Sequence, residues 1–314
     1  MPHPAPAGLF AEGTRKERRV AFLRALSGVK RYKRFLGSPL RYGGGKSLAV
    51  GHIIENLPAN LQKIVSPFMG GGALEIACSR HLGIKVLACD IFDILVNYWQ
   101  MQIRAPEKLH TLLARWQPAD EQYRAVKTRL RAHWKGESKL PPDELAAHYY
   151  FNHNLSYGPG FLGWMSKIYA DGVRYENMIA RVRDFNGGDL HAECADFADT
   201  IGAHRRAFLY CDPPYYLGGD SKMFRGIYPM RNFPVHHDNF NHKKLRDMLH
   251  SHRAGFILSY NDCSVVREWY KDFDIVEVAW QYTMGQGETR IGYNRINDKR
   301  NHTKQSHELL IIKR

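Results

Sequence analysis

Lys63-Ile64-Val65-Ser66-Pro67-Phe68-Met69-Gly70-Gly71-Gly72 reads as a short apolar strand running into a glycine-rich turn. Glycines there let the backbone approach a ligand closely and bring helix and strand together. Ala73–Leu82 follows with Leu74, Ala77, Cys78 and Leu82 at helical spacing, and Gly83 predicts a left-handed cap. Ile84–Cys89 is a second apolar run that ends at Asp90. Strand, glycine turn, helix, strand, acid is a βαβ unit. Upstream, Lys46–Leu57 carries Leu48, Val50, Ile53, Ile54 and Leu57 at helical spacing and stops at Pro58. Downstream, 207–211 and 255–260 are further unbroken apolar runs. Together with 64–68 and 84–89 they predict an α/β fold whose mainly parallel sheet is covered on both faces. Helices are predicted at Ile94–Ile103, His237–His252 and Ser264–Tyr270, and strands at Asp274–Trp280 and Glu308–Ile312.

Between Asn97 and Phe185 the alternation stops. Amphipathic helices are predicted at Pro106–Trp116, Asp120–Trp134 and Asp143–Phe151, and Tyr150–Met165 as a loop or hairpin. Four of the six tryptophans (Trp99, Trp116, Trp134, Trp164) lie in this stretch. We read 97–185 as a mostly helical insertion into a domain formed by 38–96 and 186–314. Residues 1–37 are expected to be a basic, partly disordered extension, and 217–235 a mobile loop.

The 314 residues carry 45 Lys and Arg against 31 Asp and Glu, a net charge of +14. Residues 1–46 hold eleven basic residues and two acids. Segments 97–185 and 285–314 are basic too, whereas 47–96 and 186–284 are close to neutral. Positive tails and middle around a neutral core fit a surface that tracks phosphates. No apolar run is long enough to span a membrane. The five cysteines are scattered, without a C-x-x-C pair, and read as reduced residues of a cytoplasmic protein. The sixteen histidines show no H-E-x-x-H spacing, so no metal site is expected.

Chemistry concentrates after the third apolar run, at Asp212-Pro213-Pro214-Tyr215. The two prolines fix φ and remove two N–H donors, leaving rigid carbonyl acceptors beside a carboxylate. Tyr215 adds a flat face for stacking. Acceptors next to a stacking platform suit a planar exocyclic amino group, N6 of adenine or N4 of cytosine. Asp90, after the glycine turn, suits ribose hydroxyls, although a glycine turn with an acid some 20 residues on is also the dinucleotide fingerprint.

The ordered set Leu40-Arg41-Tyr42-Gly43-Gly44-Gly45-Lys46, Pro67–Gly72, Asp90, Asp196-Phe197 and Tyr210–Tyr215 resembles the Dam-like (D12) class of adenine-N6 DNA methyltransferases, over roughly residues 38–314. The resemblance implies a Rossmann-like class I methyltransferase fold with a seven-stranded sheet and an inserted target-recognition subdomain. It implies S-adenosylmethionine as cofactor, held by Tyr42, Lys46, Pro67, Phe68, Gly70, Gly72, Asp90, Asp196, Phe197 and Asp212. Asp189 rivals Asp196, which matches the family's D-F pair better. Asp212, Pro213, Pro214 and Tyr215 are implied to be catalytic on an adenine flipped out of double-stranded DNA. Arg41, Arg31, Lys33, Arg34, Asn154 and Tyr157 are expected to contact DNA. A restriction–modification system, a phage and a solitary methylation system are the alternative settings; in the first, a cognate restriction endonuclease acting on the same site, with no stable complex, is an expected partner. Association with the nucleoid is an expected location. N4-cytosine methylation, where Ser-Pro-Pro-Tyr is more usual, and an inactive DNA-binding protein of the same fold remain the alternatives.

Overall fold

The computed structural model describes residues 13–29, 31–158, 160–218, 240–278 and 308–314. Seven strands form one sheet: β1 Lys63–Ser66, β2 Lys85–Asp90, β3 Leu190–Cys194, β4 Phe208–Cys211, β5 Phe256–Asn261, β6 Asp274–Val278 and β7 Glu308–Lys313. Their order is β3-β2-β1-β4-β5-β7-β6. The first five run parallel, and β7 pairs antiparallel with both β5 and β6. The register aligns Val65 with Leu87 on one side and Leu209 on the other. The carboxyl ends of the parallel strands therefore share one edge of the sheet.

The strands feed two apolar cores in turn, because successive side chains point to opposite faces. Ile64, Val86, Ala88, Phe208, Tyr210 and Ile257 enter one core, and Val65, Leu209, Cys211, Phe256 and Leu258 the other. This explains why the central strands read as unbroken apolar runs. β3, at the edge, alternates buried and exposed residues instead and gave no such run.

Helices α2 (Val50–Asn56), α3 (Ala73–Ile76) and α4 (Asp93–Arg104) line the first core, and α9 (Phe197–Ala203), α10 (His242–Ser251) and α11 (Ser264–Trp269) the second. The helices predicted over 46–57 and 73–82 are each divided. Lys46–Leu48 is a 3₁₀ turn ahead of α2, and α3 passes into a π-helical turn at Ala77–His81.

The insertion is helical as expected, with α5 (Pro106–Leu113), α6 (Asp120–Trp134), α7 (Pro142–Leu155) and a further helix, α8 (Gly172–Arg183). The expected boundary at 96/97 falls inside α4, and Trp99 packs with Phe185 in the core shared with the sheet. α7 runs four residues beyond the predicted end. Among the described residues, an isolated antiparallel bridge, Ser156 to Met165, is what remains of the hairpin reading for 150–165.

The N-terminal expectation needs correction for residues 13–37. Arg15–Leu26 forms α1, started by a capping box in which Thr14 and Glu17 satisfy each other's backbone donors. Phe22 buries against Phe35 and His81, with ring centroids 5.8 and 5.0 Å away. Residues 1–12, 219–235, 237–239 and 279–280 of the expectations above lie outside the described residues.

Candidate active site

Every expected cofactor or catalytic element lies at or near the carboxyl edge of the sheet. Pro67 and Phe68 follow β1, Asp90 ends β2, Asp196 and Phe197 follow β3, and Asp212 follows β4. In open α/β sheets ligands bind outside this edge. Asp189 precedes β3 and so lies at the opposite end of that strand, where its Oδ1 meets His191 Nε2 at 2.8 Å. Of the two acids, Asp196 is the one that lies at the carboxyl edge.

The glycine turn is built around Asp90. Its Oδ2 accepts from the Gly70 N–H (3.0 Å) and its Oδ1 from the Phe92 N–H (3.1 Å). Gly70 has φ +46° and Gly72 φ +64°, conformations that disfavour a side chain. A Cβ on Gly71 would come within 2.6 Å of Tyr42 Cβ, so Tyr42 lies directly against the turn. Trp99 Nε1 donates to the Gly70 carbonyl at 2.9 Å, which fixes the turn from the insertion side. Tyr42 in turn stacks on His153 of α7, centroids 5.6 Å apart.

Asp196 caps α9, accepting from the Ala198 N–H at 2.8 Å. Phe197 behind it stacks on Phe68 (5.6 Å, 25°), and Phe240 closes against both rings. Sequence reading named Phe68 and Phe197 but missed Phe240, which belongs to neither motif.

At the end of β4 the Lys46 ammonium meets Asp212 Oδ1 at 2.7 Å. Lys46 is 5% exposed and Asp212 19%. The ammonium also donates to the Gly44 carbonyl (3.1 Å) and lies 4.9 Å from the centre of the Tyr215 ring. Burial pushes the Asp212 carboxyl above its ordinary range, and Lys46 pulls it back down. Beneath them lies Glu75, a residue no motif pointed to. It is buried, accepts from Ser66 Oγ at 2.6 Å, and is pushed up to about 7 by burial. The signal in the sequence was an acid inside the apolar stretch 73–78. Tyr215 is itself buried, and its hydroxyl donates to Glu308 on β7.

The expected DNA contacts divide. Asn154 is fully buried: its Oδ1 accepts from the Arg41 N–H (2.9 Å) and its Nδ2 donates to the Pro39 carbonyl (3.2 Å). It holds the 39–41 segment rather than presenting its amide to solvent. Arg41 donates to the Asn154 and Ser156 carbonyls and stacks 4.1 Å over Tyr169. Tyr157 is 77% exposed, and the Trp164 carbonyl accepts from its N–H across the hairpin tip. Trp164, unnamed by the sequence reading, is 81% exposed. Arg31 pairs with Glu55, and Phe35 N–H donates to the Ser47 carbonyl (2.8 Å), so the 31–35 segment is anchored beside Lys46. Lys33 and Arg34 are exposed on that segment.

Five parallel strands, an antiparallel β7 between β5 and β6, and acids at three strand ends constitute a Rossmann-like methyltransferase fold. The profile of the D12 class N6 adenine-specific DNA methyltransferases matches residues 42–284, and the chain belongs to this family. It is also similar to the Type II methyltransferase M1.LlaDCHI of Lactococcus lactis subsp. cremoris, with 23% identity over 261 residues, 78% of this chain and 88% of that protein. Membership makes the protein an adenine-specific DNA methyltransferase, moving a methyl group from a donor to N6 of adenine. The cytosine and inactive-protein alternatives give way to that assignment. Among the described residues, no helix is long and apolar enough to cross a membrane.

Proposed function

We propose that the donor is S-adenosylmethionine and that the adenine is flipped out of duplex DNA onto Asp212, Pro213 and Tyr215. One observation supports this above the rest. The Lys46 ammonium, a buried N–H donor, sits on Asp212 and beside the Tyr215 ring, which is the environment an exocyclic amino group requires.

The cofactor side fits as well. Asp90 orders the turn through both oxygens, accepting from the Gly70 and Phe92 N–H groups, and its carboxylate at the end of β2 is the acceptor suited to ribose hydroxyls. Phe68, Phe197 and Phe240 form an apolar wall suited to a flat base, and Tyr42, Pro67, Gly70 and Gly72 surround the turn. When bound, S-adenosylmethionine supplies an electrophilic methyl group on a sulfonium. Asp212 and the Pro213 carbonyl accept the two N6 hydrogens and aim the nitrogen lone pair along the transfer line. Lys46 leaves Asp212 as the base arrives. Pro214 keeps the carbonyl rigid, because a proline cannot rotate about φ. N6 gains the methyl group and becomes acidic only then, so its surplus proton departs after transfer, with Asp212 as first acceptor. In-line placement supplies much of the rate. Flipping costs a few kcal/mol, in part recovered by stacking on the aromatic face.

The exposed Tyr157 and Trp164 tip meets the duplex, and Arg41, Arg31, Lys33 and Arg34 serve the phosphate backbone. The protein acts in the cytoplasm on nucleoid DNA, as the modification half of a restriction–modification pair whose endonuclease cuts the same site without a stable complex. The test is methylation of duplex DNA with isotopically labelled S-adenosylmethionine, followed by nucleoside analysis and single-molecule modification sequencing. Label in N6-methyladenine at one sequence context is expected. Label in N4-methylcytosine, or an enzyme that does not bind the cofactor in calorimetry, would overturn the reading.

A further inference from the structure

Asn261 and Glu308 face each other as register partners across the antiparallel β5–β7 pair. Both are buried, Glu308 at 1% exposure. Each grips one of two consecutive residues in the loop after β4. Glu308 accepts a hydrogen bond from the Tyr215 hydroxyl. Asn261 takes the next residue by its backbone: its Oδ1 accepts from the Tyr216 N–H (2.9 Å), and its Nδ2 donates to the Tyr216 carbonyl (2.7 Å). The Tyr215 ring lies nearly parallel to Tyr260, one residue before Asn261 on β5, with centroids 6.2 Å apart.

The physical need for such a grip follows from the prolines. Pro213 and Pro214 have no N–H, so this part of the loop cannot tie itself down through its own donors. Its path is fixed instead from the residues that follow, and both anchors come from the sheet. We propose that Asn261 and Glu308 are positioning residues for methyl transfer. They set the plane of the Tyr215 ring and, through the Tyr216 backbone, the direction of the Pro213 carbonyl relative to Asp212. This rests on the roles proposed above for Asp212, Pro213 and Tyr215, and it adds two residues that touch neither base nor cofactor.

A double-mutant cycle on the full-length enzyme tests it, read as single-turnover methylation rate with cofactor and DNA affinities measured separately. Glu308→Ala removes the acceptor, and a rate loss of roughly 10²-fold is expected from a misplaced reacting group. Glu308→Gln keeps a carbonyl oxygen in place and should stay within about tenfold of wild type, the scale of one weakened hydrogen bond. In a Tyr215→Phe background, Glu308→Gln should cause no further loss, since the hydroxyl it serves is gone. Asn261→Asp retains the acceptor for Tyr216 N–H but turns the donor into a second acceptor. It should slow transfer with both affinities unchanged. If Glu308→Ala does not fold, the cycle of Glu308→Gln with Tyr215→Phe still decides the matter. Additive losses in that cycle, or losses confined to cofactor or DNA affinity, would overturn the proposal. Tyr215→Ala separates the two levels: a fully active variant removes the role of Tyr215 itself, whereas an inactive one with an additive cycle removes only the clamp.

Discussion

Replacing Glu75 by glutamine should change how the stability of this enzyme depends on pH. Glu75 is buried beneath Asp212, and burial pushes its carboxyl up to about 7 from an ordinary 4.5, against the opposing pull of the Ser66 hydrogen bond. Between those two values the folded chain holds a proton that the unfolded chain has released. Stability from this group is therefore fully present below about pH 4.5 and is lost as pH rises through 7. The whole shift corresponds to about 3 kcal/mol, most of it falling between pH 5 and pH 8. The amide introduced by Glu75→Gln does not titrate, yet its carbonyl can still accept from Ser66. Urea denaturation of both proteins at several pH values, with the variant's curve subtracted, isolates the titration of Glu75 together with its coupling to Asp212. Wild type should lose the predicted stability relative to the variant on going from pH 5 to pH 8. A flat difference would mean that Glu75 is ionised throughout, and that the carboxyl beneath Asp212 does not share its surroundings.

Asp212→Ala should lower the transfer rate by ~10²–10³ while cofactor affinity, measured by calorimetry, stays near wild type, because a preorganised acceptor is lost; turnover above about a tenth of wild type would refute its role. Gly70→Val should weaken cofactor binding, since Gly70 has φ +46° and an added Cβ would meet Tyr42 Cε1 at 3.0 Å. Unchanged affinity in the same calorimetry would move the cofactor elsewhere. Tyr157→Ala combined with Trp164→Ala should weaken DNA binding in fluorescence anisotropy and leave cofactor affinity alone, and equal DNA affinity would make the exposed tip a bystander.

The parts of the fold that could be read in the sequence are those buried on both faces. Val65, Leu209 and Leu258 each sit in runs that stay apolar because helices cover the sheet on either side. The glycine turn, Asp90 and 212–215 stand out as unusual residues at fixed places, and the fold brings them to one edge of the sheet. Edge strand β3 was harder to read, since His191 and Glu193 face solvent. α1 has one buried residue, Phe22, and is so polar that its periodicity is weak; the Thr14/Glu17 capping box was its clearest signal. α8 carries Tyr175, Ile179 and Val182 at helical spacing, a signal hidden by the glycine- and proline-bearing loops before it. Asn154 showed a polar residue without showing that its amide faces inward. Glu308 reads only as a strand position and Asn261 lies just past the run 255–260, because pairing across a sheet is invisible until register is known.

The connection from Asp90 to Leu190 has a consequence for how such an enzyme can diversify. Its two ends belong to hydrogen-bonded neighbours, β2 and β3. The entropy of closing a flexible loop grows only with the logarithm of its length, so each doubling adds about 0.6 kcal/mol. Length in this connection is thus weakly constrained, and descendants could trade one inserted segment for another without unsettling the carboxyl edge of the sheet. What they could not trade freely is shape where the insertion meets the sheet. Trp99 anchors the Gly70 carbonyl, and Tyr42 lies between the glycine turn and His153. A grafted replacement would have to keep those few contacts and could vary almost everywhere else.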